Sequence, residues 1–273
     1  PIMMICGGFA PSFPLPKTKM SDFSRMPARD GAAQGHLAQA VALRKELSEA
    51  LTLGDPAQVA AAADAYLPLA VGMWRAMEQG VSKEGRAVSF ALSFSWTSFT
   101  HRKPDKFFTM YSMRSEVMMV LVCRMVAAGN TAARMLEAVQ SQAQYESTAK
   151  DALQHVKMAA GLAHFIATEI MPLKEVLPYE RAPEVHKDMF VSITLLYQAT
   201  GQSIACRQAQ NKGMSYPLLG KLFAAAAKLL AQVNLTLKGD GLKNDFNDIA
   251  PPLKCYAEGG SKLLKAVALH YVG

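Results

Sequence analysis

Along most of the chain, apolar residues return every three or four positions, the period of a helix with one face turned inward. Leu37, Val41, Leu43, Leu47 and Leu51 mark the first such run and predict a helix over residues 31–53. Gly54-Asp55-Pro56 stops it and starts the next: Asp55 reads as an N-cap and Pro56 as the first helical residue, where a missing N–H costs nothing. Leu67, Val71 and Trp74 give this second helix an apolar side to about residue 79. Further helices are expected at about 111–142, 147–171, 184–211, 215–237 and 251–272. In the 215–237 helix, Leu218, Leu222, Ala226, Leu229 and Val233 form a stripe that Leu219, Phe223 and Leu230 broaden. A stripe that wide packs against more than one neighbour.

One stretch breaks the pattern. Over residues 87–97, Val88, Phe90, Leu92, Phe94 and Trp96 alternate with small or polar residues, which predicts a strand. The basic sequence HRKPDK follows as a loop, and from about Tyr111 the helical period resumes. Prolines between Pro172 and Pro183 mark a connection, and KGDGLKND at 238–245 reads as a turn. The fold class is mainly α. Long antiparallel helices with short connections make a bundle or a solenoid; no 34-residue repeat with consensus residues is present.

Composition narrows the function. Of 273 residues, 51% are hydrophobic and 19% charged, enough apolar matter for a sizeable core. The net charge of +7 suits an acidic partner or an anionic membrane surface, and equally a merely solvated surface. Lys and Arg are not interleaved with aromatics, so no nucleic-acid partner is expected. Cys6, Cys123, Cys206 and Cys255 are far apart and form no CxxC, which argues for reduced thiols in a cytoplasmic protein. The best apolar run, Val117 to Ala128, is short and is cut by Arg124, so no membrane span is expected. Residues 1–26 open with PIMMICGGFAPSFPLP, apolar but interrupted by Gly and Pro. They are read as a poorly ordered extension, leaving 27–273 as the helical domain.

Catalytic patterns are missing. There is no HExxH, no GxSxG and no phosphate-binding glycine loop. DGLKNDFND at 240–248 lacks the glycine and the glutamate of a calcium loop. No enzyme activity, metal or cofactor is expected.

The departing stretch has a parallel. A Phe-x-Trp strand, a short basic loop, and MYSMRSEVMMVLVC opening a long helix resemble the BRO domain family of ESCRT-associated scaffold proteins, the Alix and Brox class. That family carries a Glu near the start of this helix, here Glu116, and often an Asn where Cys123 stands. AAAADAYLPLAVGMW, ALQHVKMAAGLAHFIATEIMP and LLYQATGQSIACRQAQNKGMSYPLLGKLFAAAAKLL are similar to further family helices in the same order. The spacing from Leu51 to Trp96 and IACR at 204–207 make the Brox branch the nearest. Gly259 and Gly260 depart from the family, which prefers Ala or aromatics there.

The resemblance implies an elongated, curved helical domain with a tetratricopeptide-like core and a small N-terminal β-hairpin or sheet, truncated here at its C-terminus. It implies a monomeric, non-enzymatic adaptor, cytoplasmic and peripheral to endosomal membranes, that binds the C-terminal amphipathic helix of an ESCRT-III subunit. Carried over by position, the partner-helix site comprises Leu218 and Leu222, Ser203 across from them, and Lys221 at the rim. Some relatives have an aromatic where Ser203 stands. Periodicity alone fits core packing for these leucines equally well, and Leu219 is assigned to the core. The alternative is a peripheral membrane-binding helical protein acting through a basic surface, with a degenerate peptide pocket.

Overall fold

The computed structural model describes residues 10–21, 23, 31–81, 92–171 and 181–272. Among them are seven α-helices: α1 (Gly31–Leu53), α2 (Pro56–Val81), α3 (Met113–Glu137), α4 (Gln142–Phe165), α5 (Lys187–Asn211), α6 (Tyr216–Leu237) and α7 (Pro251–Val272). Between α2 and α3 lies an antiparallel hairpin of β1 (Phe94–Thr97) and β2 (Phe107–Met110), with Trp96 opposite Phe108. Each helix packs mainly on its neighbours in sequence, so the helices run as an antiparallel series with the hairpin set to one side.

Local chemistry sets the helix ends. Asp55 Oδ2 accepts the Gln58 N–H at 3.3 Å to start α2, Ser112 Oγ accepts from Ser115 N at 3.0 Å to start α3, and Ser141 Oγ accepts from Gln144 N at 3.2 Å to start α4. The α5–α6 turn is closed by Gly213 at φ +64°, with Gly213 N donating to Gln210 O and Met214 N to Ala209 O. That pair of bonds is the Schellman motif, which satisfies the last carbonyls of α5 and lets α6 fold straight back along it.

The core is centred on α3, where every residue from Val117 to Gly129 except Arg124 is buried. Arg124 leaves the interior to donate to Asp64 on α2 at 2.9 Å. Gly129 admits the Tyr197 ring of α5; a Cβ there would lie 2.8 Å from ring carbons. Both α3 and α6 are long and apolar enough to cross a membrane by length and composition, contrary to the sequence expectation. In α3 that apolarity is spent in the core, its apolar stretch being 89% buried.

Other differences have physical causes. Residues 10–21 and 23, expected to be poorly ordered, are packed against the rest. Thr97 N donates to Lys17 O at 2.8 Å and Lys19 N to Ser95 O at 3.1 Å, so residues 17–19 extend the hairpin as a third strand-like edge. Asn130 on α3 holds Phe13 at both backbone groups, accepting from Phe13 N at 2.9 Å and donating to Phe13 O at 2.8 Å. Pro and Gly suggested disorder; partners distant in sequence satisfy the backbone instead. The hairpin implied by the family resemblance is present; the residue pattern alone did not mark its second strand, β2, because four residues of FFTM are too few to show alternation beside a helix start. The expected strand over 87–97 begins at Phe94, and its first residues, 87–91, lie outside the described residues, as do Cys6 and most of the 172–183 connection. Gly260 is no defect of α7: a Cβ there would sit 2.8 Å from Leu230 Cδ1, so its absence permits close packing on α6, whereas Gly259 faces open space.

Candidate functional site

Two places concentrate polar side chains inside the apolar body, and both turn out to be structural. At the first, Glu116 in the opening turn of α3 is wholly buried and accepts from Arg44 Nε at 2.8 Å, Trp96 Nε1 at 2.7 Å and Tyr66 Oη at 3.3 Å. Arg44 also donates to Lys19 O at 2.6 Å and Thr18 Oγ1 at 2.8 Å, and its guanidinium lies over the Phe94 and Trp96 rings. One ion pair therefore ties α1, α2, α3, β1 and the N-terminal segment together. Burial pushes the Cys123 thiol up, which leaves it protonated and unreactive.

At the second, Glu184 in a short 3-10 turn (Pro183–Val185) is buried, with Ser98 Oγ and Thr100 Oγ1 donating to one carboxylate oxygen. Burial pushes its carboxyl above the usual range. His101 beside it is held neutral, burial lowering its pKa, and Arg102 N donates to Asp248 O at 2.7 Å. This cluster fastens the hairpin loop to the segment before α7. Among the described residues no three His, Cys, Asp or Glu side chains stand where they could hold a metal ion.

The sequence-predicted residues lie elsewhere, along α5 and α6. Leu218 is 41% exposed, Leu222 is half-buried, and the two are one turn apart on the same side of α6. Leu219 is buried in the core, as expected. Lys221 is exposed at the outer edge. Ser203 is half-buried, but its hydroxyl donates back to Ala199 O at 2.9 Å within α5. The α5 side chain that meets Leu222 is Gln202, whose Nε2 donates to Leu222 O at 3.4 Å.

That contact fixes the register. The helices run antiparallel through the short turn at Gly213, so seven residues back along α5 and seven on along α6 bring Leu195 level with Leu229. Steps of seven keep a residue on the same face. Leu195 and Leu229 are both half-buried. Val191, one turn before Leu195, is half-buried as well. The result is a strip of partly exposed side chains along α5, bordered by Leu218, Leu222 and Leu229 of α6. Gln202 and Leu195 were legible only through this pairing, since neither stands out in its own helix.

No family model and no curated protein matches the sequence. Solved structures do match. The chain is similar to the structure described as an ALIX BRO1 CHMP4C complex, with a TM-score of 0.68 at 16% identity, covering 96% of this chain and 71% of that one. It is also similar to ALIX in complex with the SIVmac239 PYKEVTEDL Late Domain, with a TM-score of 0.53 at 17% identity, covering 95% of this chain and 37% of that one. The fold is therefore BRO1-like: mainly helical, with a small antiparallel sheet.

Proposed function

We propose that the protein is a non-enzymatic adaptor whose α5–α6 groove receives the C-terminal amphipathic helix of an ESCRT-III subunit. The observation that carries this reading is the run of aliphatic residues with exposed Leu218 and half-buried Leu222 and Leu229, in a fold of which one solved example is described as a complex with CHMP4C. Helix-in-groove recognition needs aliphatic anchor sites spaced by helical turns, and these leucines provide them. Leu222 is the central anchor, Leu218 and Leu229 flank it, and Lys221 stands at the rim. Ser203, placed by the resemblance across from the leucines, turns its hydroxyl back to Ala199 O within α5. The Brox-like sequence IACR, Ile204 to Arg207, supports placing the chain nearest that branch. The reading carries with it a monomer, a cytoplasmic location and recruitment to endosomal membranes.

A pull-down with ESCRT-III C-terminal helices, CHMP4C first, tests it. Wild type should retain the helix and Leu222→Asp should lose it, because a carboxylate in an apolar anchor site is left unpaired. Equal retention by both proteins, or retention by neither, contradicts the assignment. The exposed lysines and the +7 net charge favour a second reading, contact with an anionic membrane through the basic surface. Liposome binding that survives Leu222→Asp and disappears in high salt would support it.

A further inference from the structure

Glu184 is a wholly buried acid without a counter-cation: it forms no ion pair among the described residues. Its hydrogen bonds are lopsided. Ser98 Oγ accepts from Thr100 N at 3.2 Å and from His101 N at 2.9 Å, so its own proton is left to donate to Glu184 Oε2. Thr100 Oγ1 donates to the same oxygen at 2.9 Å. Oε1 is buried with no hydrogen-bond partner. With both hydroxyl protons on Oε2, a proton carried by the carboxyl sits on Oε1, where nothing accepts it. Without that proton, Oε1 shares a buried negative charge that no cation offsets. Neither form is fully satisfied in the closed fold, and the ionised one is the costlier.

The carboxyl sits where three segments meet. Residues 98–102, which leave β1, are held on one side by the 3-10 turn through Glu184. On the other side Ala250 N donates to Thr100 O and Arg102 N to Asp248 O, both at 2.7 Å. The turn closes with Val185 N on Ala182 O at 3.0 Å and His186 N on Pro183 O at 3.2 Å, and leads into α5. The charged groups around it are engaged elsewhere or face water. On the hairpin loop, His101 Nε2 lies 3.8 Å and Arg102 Nε 3.2 Å from Asp248, Asp105 pairs with Lys17, Lys103 is exposed, and Lys106 lies over the Phe108 ring. Beside the turn, Arg181 pairs with Asp245 at 3.2 Å, His186 lies 3.8 Å from Asp188, and Lys187 is exposed. On α7, Lys254 donates to Phe246 O at 3.1 Å.

We infer that residues 98–102 and 181–186 form a proton-controlled latch at the start of α5, closed while Glu184 keeps its proton and opening locally once that proton is lost. Opening lets water reach Oε1, and hydration is worth more to the carboxylate than to the neutral acid, so ionisation favours the open form. Burial raises the Glu184 pKa in the closed form, outweighing the Ser98 and Thr100 hydroxyls and the Glu184 and Phe99 amides, which favour the charge. The closed form is therefore fully populated below the open value of about 4.3 and is lost as pH rises through the closed value. His101 acts with the opposite sign. Burial lowers its pKa, so its neutral, packed form is lost as pH falls from about 6.5 toward the closed value. The latch goes beyond the α5–α6 reading and does not depend on it.

Amide hydrogen exchange at pH 5 and pH 7.5, corrected for the intrinsic rate, reads local opening at His101, Arg102, His186 and Ala250. In wild type their protection should fall between the two pH values, by about ten-fold for each unit by which opening lowers the Glu184 pKa, while amides of α1 to α3 keep theirs. Glu184→Gln has no proton to lose at this site and should show no fall. Thr100→Val keeps Glu184 but removes one donor from Oε2, so its fall should be steeper than that of wild type. His101→Asn removes the opposing titration and should leave the fall in place. An equal fall in wild type and Glu184→Gln overturns the latch. So does a fall shared by α1 to α3, which is global unfolding and not local opening. A fall in Thr100→Val no steeper than in wild type overturns it as well, independently of how Glu184→Gln folds. Protection that rises with pH, and loses that rise in His101→Asn, places control in His101 and overturns the assignment to Glu184.

Discussion

At the scale of single residues, the interior is held by carboxyl groups treated in opposite ways. Glu116 is wholly paired by the donors around it, so removing one partner strands the other. Glu116→Ala leaves the buried Arg44 guanidinium without its anion and is expected to cost about 3–5 kcal/mol, read as a lower urea midpoint. Trp96→Phe keeps the ion pair and loses one N–H donated to a carboxylate, for about 1.5–3 kcal/mol. Glu184, by contrast, is pushed toward its protonated form. Its folded pKa lies above the unfolded carboxylate value of about 4.3, so the folded state holds the proton more tightly and loses stability as pH rises from that value through the folded pKa. Glu184→Gln does not titrate. Its stability relative to wild type should therefore increase from pH 4 to pH 7.5 in chemical denaturation; a constant difference would show that folding leaves the Glu184 pKa unshifted.

At the scale of elements, glycines decide how closely the helices approach. Gly129→Ala drives a methyl into the Tyr197 ring between α3 and α5, an overpacking expected to cost about 1–3 kcal/mol. Gly259→Ala, on the open side of α7, should stabilise by about 0.5–1 kcal/mol through the helix preference of alanine alone. Thermal melts of the two variants should move in opposite directions. The helices themselves were legible in the sequence because their apolar periods are long and their stops explicit: Asp55-Pro56 and Lys212-Gly213 state their turns outright. The docked segment at residues 10–19 and the Gln202–Leu222 contact were not, because each depends on contacts between residues of different elements; strand β2 was implied by the family resemblance and not by its own residues. Arg44 left a signal that could have been read. It stands three residues from Val41 and three from Leu47, on the buried face of α1, and a charge in that position requires a buried counter-charge.

At the scale of the whole molecule, the hairpin and the N-terminal segment lock one end of the helical series through the Arg44–Glu116 pair. The Glu184 cluster ties the hairpin loop to the approach to α7. Between these fastenings α5 and α6 present a strip that carries Leu195, Leu218, Leu222 and Leu229 together with Gln198 and Gln202. Removing one leucine while keeping every lysine distinguishes docking from general basicity: Leu229→Ala should weaken helix binding, with unchanged retention on anionic vesicles. The central claim is that a partner helix lies in the groove over α5. Amide hydrogen exchange with and without the CHMP4C C-terminal helix tests it most directly. The account predicts slowed exchange across residues 191–205 and 218–229, with α1 and α2 unchanged; protection confined to other elements, or none at saturating peptide, would contradict it.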